Sequence, residues 1–297
     1  MYSAKPGFPR PFLQKQIPSS RYFITLSPVV KHWGVSMRII HFALYALCIQ
    51  VSFFSFSVCA TESDGSDSRY IIEQRAEKFD WQAEWDSQSW TSISTLNINR
   101  FHPLSSDHRP RVQAKLTYDE THIFGMFRVE DCYVLSKRTE YQEPVARDSC
   151  VEIFVKPKVD KGYFNFEFNA GGNLLLFYIE DHNKLPSKDR KPGVPPFKKF
   201  EMVSPEWGKQ VRIQHSLSEV VWPEIQEPTT WTLSFAIPIA LFEAYCGSIG
   251  DPKGQEWRAN FYKCADDSSH PHWAAWAPVG DNLSFHNPEI FGTLVLK

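Results

Sequence analysis

The sequence predicts an all-β protein, an antiparallel β-sandwich of the jelly-roll kind with one short helix. Short runs in which apolar and polar residues alternate recur after residue 78, and Gly, Pro, Asn and Asp stand between them. Helical periodicity is almost absent, since only residues 238–246 have a helical pattern. Many short strands separated by turn residues are typical of a sandwich or barrel.

The strands follow one another along most of the chain. We expect them at residues 91–98, 111–118, 121–130, 149–156, 162–169, 173–179, 210–217, 230–237, 256–264 and 290–296. Residues 184–199 break this pattern, because they contain Lys, Arg and four Pro. This composition predicts a long surface loop there, an insertion rather than a functional segment.

Two of these strands have faces that can be assigned. In residues 163–169 three Phe point to one side, and Asn165 and Glu167 lie on the other. In residues 149–156 three β-branched residues share one face, and Glu152 lies on the opposite one. If a hairpin joins the two strands, Glu152 lies beside Asn165 or Glu167 on the polar face, while the apolar face packs into the core.

The first 60 residues have the pattern of a targeting segment. The first acidic residue of the chain is Glu62, and residues 39–60 are uncharged and follow a basic start at Met37-Arg38. Small residues before Thr61 suit signal-peptide cleavage after Ala60, and Met37 is an alternative start of the chain. An uncut membrane anchor is the competing interpretation, because about 20 apolar residues span a bilayer. We therefore expect an exported protein that is secreted, periplasmic or at the cell surface.

The remaining chain divides into a polar linker, residues 61–78, and one domain, residues 79–297. Six of the 32 Lys and Arg residues lie in the first 60, which leaves 26 basic against 34 acidic residues and a net charge of −8. Such a surface repels phosphate backbones, so nucleic acid is excluded as a partner. A membrane is a partner only through an uncleaved N-terminal segment.

Four cysteines remain after the targeting segment: Cys132, Cys150, Cys246 and Cys264. In an oxidising compartment three pairings of these four are open. Buried free thiols are the alternative, and the sequence does not decide between them.

The domain is rich in tryptophan, which points to sugars. Indole rings stack on the flat C–H faces of sugars while polar groups bind the hydroxyls. Trp231 alternates with apolar residues and is expected in the core. Trp273 and Trp276 lie among His, Pro and Gly, a composition typical of a surface loop, and are candidate stacking platforms.

Paired carboxylates raise the alternative of a glycoside hydrolase. Glu152 and Glu167 would be the pair, because glycosidases need two acidic side chains at a defined separation. No GxSxG, HExxH or P-loop pattern occurs in the sequence. Non-catalytic binding is therefore favoured, with a glycoside hydrolase or a structural sandwich without a sugar site as alternatives.

The order of several motifs resembles the family 9 carbohydrate-binding modules from about residue 80 to the end of the chain. The motifs are Asp148–Phe154, Tyr163–Asn169 with Gly171-Gly172, Trp231–Pro238, Trp257–Tyr262, Trp276-Ala277-Pro278 and Phe285–Leu294. The resemblance implies an antiparallel β-sandwich, structural calcium as in some members, and a sugar held between two Trp. It implies that this chain binds a poly- or oligosaccharide without cutting it and supports polysaccharide breakdown or uptake.

The family's sugar-binding residues carry over unevenly. Glu152 matches a sugar-contacting Glu, Trp276 or Trp273 matches the second stacking Trp, and Asn260 lies near a side-chain amide of the site. Ala146 stands where the first stacking Trp is expected, and Tyr141 is the nearest aromatic that would replace it.

The family's Arg has no counterpart. It is expected near Phe164 or Asn165, and neither position carries one. Asn165 itself remains a candidate sugar contact because it lies on the polar face with Glu152.

Overall fold

A computed structural model describes residues 68–75, 79–191 and 194–297. The predicted signal segment, residues 1–60, lies outside these ranges, as do residues 61–67 and 76–78 of the predicted linker. None of the helices in the described ranges is long and apolar enough to cross a membrane.

Short strands dominate the described residues. In chain order they are β1 Arg69–Ile72, β2 Leu96–Asn97, β3 Arg100–Phe101, β4 Arg111–Tyr118, β5 His122–Asp131, β6 Val134–Ser136, β7 Cys150–Lys156, β8 Tyr163–Asn169, β9 Leu174–Lys184, β10 Phe197–Met202, β11 Arg212–His215, β12 Val221–Ile225, β13 Thr229–Pro238, β14 Glu256–Cys264, β15 Trp273–Ala275 and β16 Gly292–Leu296. The helices are α1 Gln88–Thr91, α2 Pro205–Gly208 and α3 Ile239–Cys246, with 3-10 turns at Val145–Arg147, Ser187–Asp189 and Pro288–Ile290.

The strands form two main sheets. In the described ranges the larger sheet has the order β1-β16-β14-β7-β8-β9-β10; β15 also pairs with β14, and β3 pairs with β15. The smaller sheet has the order β11-β13-β5-β4-β2, and β12 pairs with β6 separately. Neighbouring strands run antiparallel except β1, which lies parallel to β16. The predicted antiparallel sandwich is confirmed.

The main core lies between the two sheets. Phe168 of β8 stacks on Phe235 of β13 with 5.4 Å between ring centroids, and Phe127 of β5 meets Phe261 of β14 at 6.3 Å. Trp231 is fully buried in the same cluster, as the alternation along β13 predicts. These aromatic rings account for much of the apolar area that holds the layers together, because each buries a large surface.

The predicted hairpin between residues 149–156 and 163–169 is also confirmed. β7 and β8 pair with Glu152 directly opposite Glu167. The helix predicted at residues 238–246 is α3, which follows Pro238 and ends before Gly247, whose φ of 75° breaks the helix.

Three expectations about element boundaries were wrong in part. β1 lies inside the segment expected to be a linker, because Tyr70 and Ile72 alternate inward and pair beside β16. Residues 91–98 do not form one strand: α1 ends at Thr91 and only the two residues of β2 pair. The expected loop 184–199 is bounded by strands at both ends, since β9 runs to Lys184 and β10 begins at Phe197.

Candidate functional site

The outer face of the larger sheet is covered rather than open to solvent. A second apolar cluster lies on it, formed by Val145, Cys150, Phe154, Tyr163, Leu175, Phe177, Ile179, Phe197, Tyr262, Cys264, Ala275 and Phe291. The segment between β14 and β16 contributes Ala275 and Phe291 to this cover. Polar side chains of β7 and β8 on this face are therefore buried instead of meeting bulk water.

A pocket of about 360 Å³ opens within this cover. Its lining is Ala146, Glu152, Phe154, Glu167, Lys184, Pro196, Phe197, Cys264, Asp266, Trp273, Leu283, Ser284, Phe285 and His286. The pocket thus combines three carboxyl groups with four aromatic rings and one histidine. Such a mixture of apolar walls and a few convergent polar groups is typical of small-molecule sites.

Two of the carboxyl groups form a cross-strand pair. Glu152 and Glu167 occupy opposite register positions, and both side chains are buried. Burial, followed by the charge of Glu167, raises the pKa of Glu152 well above its ordinary value. Burial raises the pKa of Glu167 to about 7, although a 2.8 Å hydrogen bond from Asn165 Nδ2 to Glu167 Oε1 opposes the shift. Near neutral pH the pair therefore holds at least one proton, and presents a hydroxyl donor as well as acceptor oxygens.

The third carboxyl group fixes an aromatic ring. Trp273 Nε1 donates a hydrogen bond of 2.7 Å to Asp266 Oδ1. Burial raises the pKa of Asp266, and the Trp273 bond partly offsets that shift. The indole is half-buried, so its remaining surface faces the pocket in an orientation that the hydrogen bond selects.

Other parts of the lining are aromatic. Phe285 stacks on Tyr262 with 4.0 Å between centroids, and the Tyr262 hydroxyl donates to the Phe285 carbonyl at 3.1 Å. The His286 ring lies 4.5 Å from that of Phe197, and its Nδ1 is 2.9 Å from the Tyr163 hydroxyl. Burial lowers the pKa of His286 to about 3, so the imidazole is neutral at ordinary pH.

Four of the side chains singled out from the sequence meet at this pocket or directly behind it. Glu152, Glu167 and Trp273 line the pocket. Asn165 lies behind Glu167, donating to it and accepting a 2.8 Å hydrogen bond from the Phe177 amide. Ala146, the position at which the family resemblance expects a stacking Trp, also lines the pocket, which leaves room beside Trp273.

Trp276 lies on the other face of the sheet. β15 pairs with β14 so that Trp273 is opposite Cys264 and Ala275 is opposite Tyr262, both on the pocket side. Trp276 is the next residue and therefore points inward, where its ring meets Phe261 edge-on at 5.6 Å. The expectation of a surface loop overlooked β15, and with it the alternation that separates the two indoles.

Asn260 and Tyr141 are also engaged elsewhere. Asn260 is fully buried; its amide donates to the Ala277 carbonyl and accepts from the Ala277 amide at 2.9 Å, so it anchors the segment after β15. The Tyr141 hydroxyl donates to the Val203 carbonyl at 2.9 Å, and the ring packs against the main core. Neither lines the pocket.

Several pocket residues were not anticipated from the sequence. Asp266, Phe285 and His286 lie in the connections around β15, where no alternation marks a face. Phe197 begins β10, a strand hidden by the neighbouring prolines. Phe285 and His286 had one signal in the sequence, their position within the Phe285–Leu294 motif shared with the family; Asp266 and Phe197 had none.

A separate buried cluster lies between the sheets near the end of β5. Asp131 Oδ1 accepts a 2.6 Å hydrogen bond from His108 Nε2, and Lys263 Nζ lies 3.8 Å from Asp131 Oδ2. Burial alone would raise the pKa of Asp131, but the Lys263 ammonium and the His108 bond lower it well below its usual range. Burial lowers the pKa of the neighbouring His272 to about 3, and the Lys263 charge acts in the same direction.

This cluster does not fit the calcium that the family resemblance implies. Ca²⁺ takes six to eight oxygen ligands, whereas the groups facing the Asp131 carboxylate are the Lys263 ammonium and the His108 ring. No group of three or more His, Cys, Asp or Glu within the ranges the structure describes is arranged to hold a metal ion.

Comparisons with known proteins agree with this architecture. The sequence profile of carbohydrate-binding family 9 matches residues 85–296, most of the chain. The chain belongs to carbohydrate-binding family 9. The resemblance seen in the motifs is thereby confirmed. A search of curated proteins found no match.

Solved structures share the fold of this family 9 domain. A candidate carbohydrate-binding protein from Bacteroides uniformis ATCC 8492 superposes with a TM-score of 0.64 at 25% identity, covering 77% of this chain and 99% of that one. A family 9 module from Caldicellulosiruptor kristjanssonii in complex with cellotriose gives a TM-score of 0.50 at 13% identity, with 77% and 93% coverage. Its complex with glucose gives 0.50 at 14% identity, with 77% and 95% coverage.

Proposed function

We propose that this family 9 domain binds a short piece of a poly- or oligosaccharide in the pocket formed by Glu152, Glu167, Trp273 and Phe285, without cleaving it. The observation that carries the proposal is the meeting of the Trp273 indole with the Glu152–Glu167 pair in one pocket. Family membership supports it independently, as does the Caldicellulosiruptor kristjanssonii module, whose structure was solved in complex with cellotriose.

The aromatic side chains supply the apolar part of sugar recognition. A sugar ring has flat C–H faces that gain dispersion and hydrophobic energy against an aromatic ring. Trp273 presents a half-buried indole that Asp266 holds in place, and Phe285 is fixed by stacking on Tyr262. Both rings are therefore ordered before a ligand arrives, which reduces the entropy lost on binding.

The carboxyl pair supplies the polar part. Sugar hydroxyls both donate and accept hydrogen bonds, and a pair that shares protons offers both roles within one site. Because Glu152 and Glu167 are shielded from bulk water, hydrogen bonds to them are stronger than they would be at the surface. A ligand hydroxyl would also give these buried oxygens partners, which lowers the cost of their burial.

The size of the pocket indicates how much sugar it holds. Its volume of about 360 Å³ lies near the lower end of the range of about 300–1,000 Å³ for small-molecule sites. We therefore infer a short oligosaccharide or the end of a chain rather than a long polymer lying across the sheet.

Export completes the proposed role. The uncharged run before Thr61 supports secretion or surface attachment, where the domain would assist breakdown or uptake of a polysaccharide. Amino-terminal sequencing of the exported protein tests this: a chain beginning at Thr61 supports a cleaved signal, and one retaining residues 39–60 supports an anchor.

A glycoside hydrolase is the second candidate, favoured by the direct opposition of Glu152 and Glu167. Opposed side chains on neighbouring strands are about 5 Å apart, close to the separation of about 5–5.5 Å in retaining enzymes. However, a nucleophile must be ionised, and burial raises the pKa of both groups. We therefore favour binding.

One screen separates the candidates. The full chain is run through native gels containing different polysaccharides, and the same polysaccharides are incubated with it and assayed for released reducing ends. Retardation without release supports binding; release that disappears in Glu152→Gln or Glu167→Gln supports the hydrolase. If a broad panel gives no retardation and no release of reducing ends, both candidate functions are contradicted. A sandwich without a sugar site would then remain.

A further inference from the structure

Cys150 and Cys264 lie directly opposite each other on β7 and β14. Two residues further along, Glu152 is opposite Tyr262, so both thiols share the pocket-facing side with Glu152. Cys264 lines the pocket, and Cys150 is fully buried beside it. The two thiols are not bonded to each other in the structure.

The register gives the spacing that a disulfide requires. Opposite residues of antiparallel strands have Cα atoms about 4.5–5.5 Å apart. Disulfides join residues whose Cα atoms are about 4.4–6.8 Å apart. A bond between Cys150 and Cys264 therefore needs rotation of two side chains, with the strands kept in place.

The other cysteines of the described ranges lie in different surroundings. Cys246 ends α3 within the main core, and its thiol donates to the Phe242 carbonyl at 3.0 Å. Cys132 follows the end of β5 and is partly exposed. Neither faces another cysteine across a strand pair in that part of the chain.

We propose that Cys150 and Cys264 form a modification site, at which a small disulfide oxidant entering the pocket converts the two thiols into a cross-strand disulfide. This inference goes beyond the proposed function and does not depend on it. One of the three pairings that the sequence leaves open contains a Cys150–Cys264 link; we keep that link and leave Cys132 and Cys246 as free thiols.

The reaction is two thiol–disulfide exchanges. Cys264 loses its proton, and its thiolate attacks one sulfur of the oxidant, R–S–S–R, releasing the first R–S⁻. The Cys150 thiolate then attacks Cys264 Sγ and expels the second R–S⁻. Each released thiolate takes up one of the two protons, so two protein thiols are oxidised and one oxidant disulfide is reduced to two thiols.

The environment makes this exchange slow in the folded protein. Burial and the neighbouring Glu152 raise the pKa of both thiols well above the ordinary value, which lowers the fraction present as reactive thiolate.

The disulfide product would alter the pocket. Cys150 Sγ donates to Glu152 Oε1 at 3.9 Å, and because this bond lowers the pKa of Glu152, its loss would raise that pKa further.

Peptide mapping tests the proposal. The full chain is incubated in a glutathione redox buffer, both folded and during refolding from urea, then alkylated and digested without reduction. We expect a linked peptide pair containing Cys150 and Cys264, with Cys132 and Cys246 alkylated, and more of the link after refolding than in the folded protein. Cys246→Ser is the matched control and should keep the link, whereas Cys150→Ser and Cys264→Ser should lose it.

Two results would overturn the proposal. One is a link from Cys150 or Cys264 to Cys132 or Cys246. The other is alkylation of both Cys150 and Cys264 under both protocols. The map is read without any sugar, so its failure is separate from a failure of the proposed carbohydrate binding.

Discussion

Glu152 and Glu167 face each other across β7 and β8 inside a covered pocket, with 2% and 7% of their surfaces exposed. Two negative charges on directly opposite residues of neighbouring strands, in a site of low dielectric constant, cannot both be present without a large cost in free energy. The pair therefore retains protons at pH values where a surface glutamate has lost them, and the pocket contains a proton that responds to pH.

The first prediction is a pH dependence of stability that Glu167→Gln reduces. The pKa of Glu167 is about 7 in the folded state and 4.5 ordinarily, so between these values the folded state binds more protons than the unfolded state. The contribution of Glu167 to the free energy of unfolding is complete below pH 4.5 and is lost as the pH rises through about 7. Between these two limits this contribution changes by an amount on the order of 3 kcal/mol.

Urea denaturation at about pH 5 and about pH 8 measures this effect. His272 and His286 act in the opposite sense, since their pKa of about 3 makes the fold lose stability as the pH falls below 6.5. The comparison of Glu167→Gln with wild type at the same pH cancels that contribution. An equal change between the two pH values in both proteins would contradict the prediction.

The second prediction concerns Trp276, which packs inward against Phe261 and above Gly292. Trp276→Ala should lower the free energy of unfolding by about 3 kcal/mol, because it leaves a cavity at the edge of the core. Sugar binding per folded molecule should be unchanged, since Trp276 does not line the pocket. A variant of wild-type stability that no longer binds sugar would show that Trp276, and not Trp273, contacts the ligand.

The third prediction concerns the buried pair of Lys263 and Asp131. Lys263→Met removes the cation but leaves the Asp131 carboxylate buried, and should cost about 3–5 kcal/mol in the free energy of unfolding. Lys263→Met combined with Asp131→Asn should recover part of that loss. Urea denaturation of the two single variants and the double variant gives the coupling energy, and strictly additive losses would contradict a direct interaction.

The core faces could be predicted from the sequence because long strands repeat the same alternation. Phe164, Phe166 and Phe168 indicate which face of β8 packs into the main core, and α3 is visible between Pro238 and Gly247. Short strands carry too few residues for this: β15 has three, so the alternation that separates Trp273 from Trp276 is hidden among His and Pro residues.

The faces of the candidate site could be predicted where it lies on long strands, whereas Trp273 of the short β15 was one of two candidate indoles that the sequence did not separate. Glu152 and Glu167 belong to β7 and β8, and their opposition follows from the hairpin. Asp266 and His286 come from connections whose path depends on tertiary packing, so no local pattern places them at the pocket. Lys263 was missed for another reason: it occupies a core-facing position in β14, and its burial depends on Asp131, which comes from the other sheet.

The most direct test of sugar binding in this pocket is the retardation of Trp273→Ala in gels that contain the polysaccharide retained best by the wild type. Trp222→Ala is the matched control, because Trp222 is 64% exposed and outside the pocket. We expect the affinity of Trp273→Ala to fall about tenfold, the effect of losing one aromatic stacking face, and that of Trp222→Ala to stay at the wild-type value. Equal retardation of wild type, Trp273→Ala and Trp222→Ala would contradict sugar binding at Trp273.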